Sequence, residues 1–354
     1  MAPDGDGLFV TVLDDSTIDH LKGMLAESEA SESRYLIRET IGEGGMGTVY
    51  LADDTALDRP VAMKVIRDGR LGADAVDRML REARVIARLE HPGIVPVHDV
   101  GRLPDGRVFY VMKWVKGRRL DEHFDAKATI AQRLRVFERV CETVAFAHAH
   151  GVIHRDLKPQ NIMVGEFGEV LVLDWGVAKL KAGVADDPQA TVVLPSPAAN
   201  TMPASRHTEH GTILGTPAYM SPEQARGEIE RIDERSDVFA LGGVLFFLLT
   251  GQSPRESGSE VAAPRAARML NRDVPRRLDA VGVKAMALQP EERYFSAAEL
   301  AQDVSRFLNG QAVTAYREGV LERVGRWAWW YRTPLLLVAA YLAMRAMLIV
   351  WERR

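Results

Sequence analysis

His154-Arg155-Asp156-Leu157-Lys158-Pro159-Gln160-Asn161, answered shortly afterwards by Asp174-Trp175-Gly176, is the stretch whose reading decides the fold. Between them run Ile162-Met163-Val164, then Gly165-Glu166-Phe167-Gly168, then Glu169-Val170-Leu171-Val172-Leu173. Two short apolar runs around a Gly-containing turn predict a β-hairpin. In an antiparallel hairpin, residues equidistant from the turn face one another. Asn161 and Asp174 are nearly equidistant, so fold-back brings an amide and a carboxylate together at the open end, with Asp156 and Lys158 just upstream. Hard cations take oxygen ligands, and a lysine beside them can neutralise a phosphoryl group in transit. The set suits a Mg-phosphate site.

Composition sets the outer bounds. A chain of 354 residues holds one large two-lobed domain or two ordinary ones. Hydrophobic residues at 47% and charged residues at 27% are those of a globular protein. A net charge of −4, with no long Lys/Arg block, gives no sign of a nucleic-acid partner. Cys141 is the single cysteine, which excludes an intrachain disulfide and fits a reducing compartment. Its apolar helical context predicts a buried structural thiol. The N-terminus has neither a basic segment nor a long apolar run, so no signal peptide is expected. Residues 1–34, rich in Asp, Glu and Ser, read as a solvated, flexible extension. A weak apolar pattern at Leu8 to Leu13 and Ile18 to Leu25 leaves room for a docking segment.

From Tyr35 the pattern is strand-like and leads into Ile41-Gly42-Glu43-Gly44-Gly45-Met46-Gly47-Thr48-Val49-Tyr50. Glycines at 42, 44 and 47 let a backbone fold tightly over phosphates and offer N–H donors to them. A plain glycine turn reads equally well from the triplet alone. Val61-Ala62-Met63-Lys64 adds weight as a strand ending in a lysine, and the missing Gly-Lys-Ser/Thr argues against a P-loop. Asp74 to Glu90 has helical spacing, with Met79, Ile86 and Leu89 on one face and Glu82 within it. A carboxylate on an inward stripe needs a partner. Lys64 is the natural one, and a surface pair with Arg78 the alternative. His91-Pro92 ends the helix. Strands follow at Ile94 to Val100 and Val108 to Val115, and a long helix at 129–150 leads to the His154–Asn161 stretch. His148 and His150 near its end lack the company of a ligand set and read as ordinary helix-end residues. Ala182 to His210, rich in Pro, Ala, Ser, Thr and Asp, is a long loop that is functional or disordered. Val238 to Leu249 is an apolar run too short to span a bilayer, capped by Ser236-Asp237.

In these motifs the chain resembles the bacterial eukaryotic-like Ser/Thr protein kinases, over about 35–310 and with seven motifs in order. The resemblance implies an α+β, two-lobed kinase-like fold. Its N-lobe (35–115) would be a small antiparallel sheet with one helix, and its C-lobe (116–310) mainly helical. It also implies transfer of the ATP γ-phosphate to Ser/Thr hydroxyls of protein substrates, with Mg2+, or Mn2+ as the alternative ion. Asp156 would orient the hydroxyl and accept its proton. Lys158 and Lys64, the latter positioned by Glu82, would stabilise phosphate charge; Asn161 and Asp174 would hold metal ions. Ile41, Gly42, Gly44, Gly47, Val49, Ala62 and Met163 would surround the nucleotide. Met112 would be the gatekeeper, and Lys113-Trp114-Val115 the hinge that receives adenine. Lys113 departs from the acidic residue common there, which bears on the pocket rim. Trp175 stands where phenylalanine is usual and would pack beside Ile86, Val97 and His154, its indole N–H seeking an acceptor.

Gly215-Thr216-Pro217 and Ser221-Pro222-Glu223 resemble the substrate-docking end of an activation segment (177–222), with Ser221 replacing alanine. Thr216 would align Asp156 and Lys158, Asp237 would anchor the catalytic-loop backbone, and Arg293 would pair with Glu223. Arg155 would receive a phosphate from the loop, with Thr208 or Thr212 as the autophosphorylated residue. Rival readings are a pseudokinase scaffold and a small-molecule phosphotransferase of similar fold. Dimerisation stays open. Beyond a juxtamembrane segment (311–333), Pro334 to Trp351 gives eighteen residues with one charge, Arg345, flanked by aromatics. The expectation is a single-pass inner-membrane anchor with the kinase domain cytoplasmic. An in-plane amphipathic helix and a soluble docking helix are the alternatives.

Overall fold

The computed structural model describes residues 34–43, 47–66, 73–125, 127–175, 179–180, 217–255, 264–320, 322–323 and 332–352. The loop 182–210, Gly44, Gly176, Thr208, Thr212 and Thr216 lie outside the described residues. Two compact units divide the chain: 1–127 with 143–220, and 128–142 with 221–354.

The first unit is built on a five-stranded antiparallel sheet in the order β1-β2-β3-β5-β4. The strands are β1 (Tyr35–Glu43), β2 (Gly47–Asp54), β3 (Arg59–Ile66), β4 (Val97–Arg102) and β5 (Val108–Lys113). Period-two alternation sorts its side chains onto two faces. Val61, Met63, Val65, Phe109 and Val111 form one cluster with Tyr35 and Ala52. Ile66, Val108 and Tyr110 form the other, under Met79 and Ala83 of α1 (Ala73–Ala87). The inward stripe expected of this helix is present, with Met79, Glu82 and Ile86 buried. The chain then straightens before Pro92, Leu89 closing a tight turn onto the Ile86 carbonyl. After β6 (Gly117–Arg119) comes α2 (Ile130–Ala149), whose residues up to Glu142 belong to the second unit; Cys141, in that part, is fully buried and burial pushes its thiol well up. β7 (Val152–Ile153) leads to the predicted hairpin, β8 (Ile162–Gly165) with β9 (Val170–Val172). β10 (Lys179–Leu180) pairs with β7, and β6 with β8.

In the second unit, α3 (Pro222–Ala225) precedes α4 (Glu234–Thr250). Thirteen residues of α4 are buried, as befits a helix apolar on every side. Its N-cap is Asp233, whose side chain accepts from the Arg235 N–H, rather than the Ser236-Asp237 pair. Those two occupy the first turn, fully buried. Gly251, at φ 74°, ends the helix in the left-handed conformation that glycine adopts without a Cβ penalty. α5 (Arg276–Ala285) and α6 (Ala297–Leu308) complete the packing.

The C-terminal segment is helical as α7 (Arg332–Glu352), but the expected membrane anchor finds no support in it. Among the described residues no helix is long and apolar enough to cross a membrane.

Candidate active site

Lys64 lies on the face of the sheet that α1 covers, because it alternates with Met63 and Val65 on the opposite face. Its Nζ donates to both Glu82 oxygens, at 2.8 and 3.0 Å, and to Asp174 Oδ1 at 3.1 Å. Glu82 is only 2% exposed, so the pair satisfies a carboxylate that would be costly alone. Burial works against the Lys64 ammonium, but Tyr110, Glu82 and Asp174 overcome it and hold its pKa well above the ordinary value. Tyr110 lies opposite Lys64 in the β3–β5 ladder, and its hydroxyl donates to Glu82 Oε1 at 2.9 Å. Burial, reinforced by Glu82, pushes this phenol well up, so it remains a donor.

The hairpin register pairs Ile162 with Val172 and Met163 with Leu171. Continuing outward, the Leu173 N–H donates to the Asn161 carbonyl at 2.8 Å, so Asn161 opposes Leu173 and Asp174 follows by one residue. Asn161 Nδ2 donates to the Asp156 carbonyl at 2.8 Å and to Asp156 Oδ2 at 3.1 Å, while Lys158 Nζ reaches Oδ2 at 2.8 Å. Asp156 is thus held from two sides. His154, fully buried, donates from Nε2 to the Leu173 carbonyl at 2.9 Å and accepts the Asp156 N–H at Nδ1, 3.2 Å away. A carbonyl only accepts, so the ring is the Nε2-protonated tautomer. Arg155 and Asp174 take positive φ, 71° and 63°. Such backbone is unfavourable for L-residues and persists where the surroundings enforce it. Desolvation by the surrounding chain would raise the Asp174 carboxyl, although half of its side chain stays open to solvent; Lys64 reverses this, with Lys158 helping, and lowers it. Trp175 is 2% exposed, its ring 4.6 Å from that of His154, and its indole N–H finds its acceptor in the Val172 carbonyl at 3.2 Å.

Met112 and Met163 pack with Val95, Val115 and Leu171 in a single apolar cluster. Ala62 opposes Met112 across the β3–β5 ladder. Val49 is half-buried on β2 opposite Lys64; Ile41 and Lys113 are exposed. A Cβ on Gly47 would overlap the Val65 carbonyl oxygen, whereas Gly42 has ordinary room.

In the second unit, Arg293 makes a two-pronged bond to Glu223, Nη1 to Oε1 at 2.7 Å and Nη2 to Oε2 at 2.8 Å. Its remaining donors reach the carbonyls of Ala287, Arg235 and Leu288. The Ser236 hydroxyl donates to the same carboxylate at 2.7 Å. Burial would raise Glu223, but Arg293 holds it at about 2.

Residues 35–293 match the family model described as the protein kinase domain. The chain belongs to that family. The Ser/Thr-protein kinase PknD of Chlamydia trachomatis serovar D is 35% identical over 330 residues, covering 86% of this chain. PknB of Mycolicibacterium smegmatis is 38% identical over 296 residues, covering 80%. The chain spans 34% and 44% of the lengths of these curated relatives. Among solved structures, the Mycobacterium tuberculosis PknI kinase domain superposes with a TM-score of 0.58 at 26% identity, over 78% of this chain and 96% of that one. The fold is the protein kinase fold, with an antiparallel-sheet part and a helical part, and membership implies ATP and a divalent metal ion.

Within this kinase domain the structure brings together Lys64, Glu82 and Asp174 on one side, and Asp156, Lys158 and Asn161 on the other. Tyr110 is the site residue the sequence did not disclose. Its one signal was the alternation of β5, which means nothing until the register with β3 is known.

Proposed function

We propose that this kinase domain is a protein Ser/Thr kinase that transfers the ATP γ-phosphoryl group to hydroxyls of protein substrates. What supports this most is Lys64, held between Glu82 and Asp174 while Asp156 is braced by Lys158 and Asn161. Asp156 accepts the hydroxyl proton as the oxygen attacks the γ-phosphorus and ADP departs. Lys158, already on Asp156, stabilises the equatorial oxygens, and Lys64 neutralises charge on the remaining phosphates. Adenine fits the apolar cluster of Met112, Val115 and Met163, bounded by Ala62 and Val49. Gly42, Gly44 and Gly47, with Ile41, cover the phosphates.

The donor set fits Mg2+. With its nitrogen committed to Asp156, the Asn161 amide retains its oxygen, and Asp174 is a carboxylate held ionised by Lys64. Two hard oxygen donors suit an ion that completes its shell with water and phosphate. When bound, it screens the developing phosphoryl charge.

Regulation would run through Thr208 or Thr212 phosphate on Arg155, with Thr216 aligning the catalytic pair; the three threonines lie outside the described residues. A cytoplasmic domain has the ATP this chemistry requires, and a membrane span is no part of the reading. Incubation with ATP, Mg2+ and a protein substrate panel, followed by phosphosite mapping, tests the activity. Asp156→Asn should lower transfer at least a thousandfold with an unchanged melting temperature. Near-normal turnover in that variant would remove Asp156 from its role. Transfer only to small molecules would overturn the protein-kinase reading.

A further inference from the structure

Lys113, Lys116 and Arg118 lie exposed within six residues, from the end of β5 into β6. Among the described residues none of them pairs with a carboxylate, whereas the adjacent Arg119 is committed to Asp121 and Glu122. Lys116 Nζ stands 5.0 Å from the Trp114 ring centroid. The tip of the β8–β9 hairpin lies alongside, because the Glu166 N–H donates to the Lys116 carbonyl at 3.0 Å and Gly165 opposes Gly117. That tip carries Phe167, 94% exposed. Of the two nearby carboxylates, Glu169 accepts the Phe167 N–H and Glu166 is exposed. Unpaired cations beside an exposed aromatic ring suit an acidic segment with apolar residues of its own.

Such a segment exists in this chain. Residues 1–33 carry eight carboxylates (Asp4, Asp6, Asp14, Asp15, Asp19, Glu27, Glu29 and Glu32) against one cation, Lys22. Leu8, Phe9, Val10, Val12 and Leu13 supply the apolar side chains. The point of entry is also suitable. Arg34 is fastened to Asp54 at 3.1 Å and to Asp99 at 3.0 Å, so the extension leaves the fold at a fixed place. Ile37 lies three residues, about 10 Å, along the chain from Arg34, and from it the ladder runs to Ala52, Val61 and Lys113, three strand spacings or about 15 Å more. A random-coil chain of 33 residues has a root-mean-square end-to-end distance of roughly 30 Å. Tethering gives a local concentration on the order of millimolar, so a weak contact suffices.

We propose that residues 1–33 dock in cis on the surface made by Lys113, Lys116, Arg118, Trp114 and Phe167. Docking itself does not depend on the catalytic reading.

A zero-length carbodiimide, which joins carboxylates to contacting lysine amines, tests this on the full chain without reading activity. An equimolar mixture of isotope-labelled and unlabelled protein separates intrachain from interchain products. The expected result is intrachain links from Lys113 or Lys116 to carboxylates of residues 1–33, falling at least fivefold in 0.5 M salt. Arg118→Glu should lower their yield at least threefold with no change in melting temperature; Phe167→Ser is the second variant, should the first fail to fold. No links to residues 1–33, equal yields at the exposed Lys127, or salt-insensitive yields would overturn the proposal. Predominantly interchain links would overturn it in favour of a second copy as the occupant.

Discussion

Glu223 and Arg293 form a buried ion pair in which the arginine keeps the carboxyl ionised. A carboxyl whose folded pKa is depressed contributes its stability in full above the unfolded value and loses it as the pH falls through the folded value. For Glu223 that window runs from the ordinary 4.5 down to about 2, which corresponds to about 3 kcal/mol. Glu223→Gln leaves the Arg293 guanidinium buried without its counter-charge, so at pH 7 it should cost about 3–5 kcal/mol. The cost should shrink between pH 4.5 and 2 as the native pair is itself titrated. Urea denaturation at pH 7 and pH 3 checks both statements, and an equal cost at the two pH values would show that the charge is not what matters. Trp175 permits a finer test. Trp175→Phe keeps an aromatic ring beside His154 but deletes the bond to the Val172 carbonyl, worth about 1 kcal/mol. Single-turnover transfer should slow by up to roughly fivefold; an unchanged rate would make the indole N–H merely accommodated. The partner sought by this N–H was legible as a need in the sequence, but its identity was not, because Val172 becomes an acceptor only when the hairpin end turns.

Elements written in local pattern were legible, and those that depend on pairing were not. The 3.6-residue stripe of α1 and the two apolar runs of β8 and β9 can be read off the chain. They placed Glu82 inward and brought Asn161 within one register position of facing Asp174. The N-cap of α4 was misplaced because Asp233 and Ser236 are both good capping residues, and the choice rests on the buried Glu223 that takes the serine hydroxyl. Gly47 illustrates the same limit. In sequence it reads as one glycine of a phosphate loop, while in the sheet it pairs with Ile66 of β3 where a Cβ has no room. Gly47→Ala would drive a Cβ into the Val65 carbonyl oxygen, and backbone cannot rotate out of the way as a side chain can. The strands must separate locally, so the variant should lose about 2 kcal/mol of stability or more. On the proposed reading, in which Gly47 helps hold the phosphates, it should also raise the KM for ATP severalfold. A variant as stable as the parent would mean that the strand pair is looser than its register implies.

At the scale of the whole molecule, the question is where the kinase domain stops. The motifs fade near Gly310, yet the chain is fastened beyond it by a residue that no motif marks. Asp303, fully buried on α6, accepts the Thr314 N–H at 2.7 Å, the Thr314 hydroxyl at 2.6 Å and the Ala315 N–H at 3.1 Å. The Tyr294 hydroxyl adds a fourth bond at 2.8 Å. Burial would raise this carboxyl, but these donors, Thr314 foremost, hold it below the usual range. Arg277 secures the same stretch through the Gln311 carbonyl at 3.1 Å and Glu318 at 3.5 Å. The motif end and the physical end therefore differ by about eight residues. A chain ending at Glu318 keeps every one of these bonds and should melt within about 2 °C of the full chain. It should also be the more soluble, since it sheds the exposed Leu336, Leu337, Leu342, Met347 and Trp351 of α7. A chain ending at Gly310 leaves the Asp303 carboxylate short of three donors. Bonds to a charged group are worth about 1.5–3 kcal/mol each, so even with water replacing some of them the loss should reach about 3 kcal/mol. In a domain of this size that lowers the melting temperature by roughly 5 °C. Calorimetry on the two truncations decides the matter: equal melting temperatures would make Asp303 an ornament of the fold, whereas a gap that Asp303→Asn closes in the longer chain would identify it as the clasp.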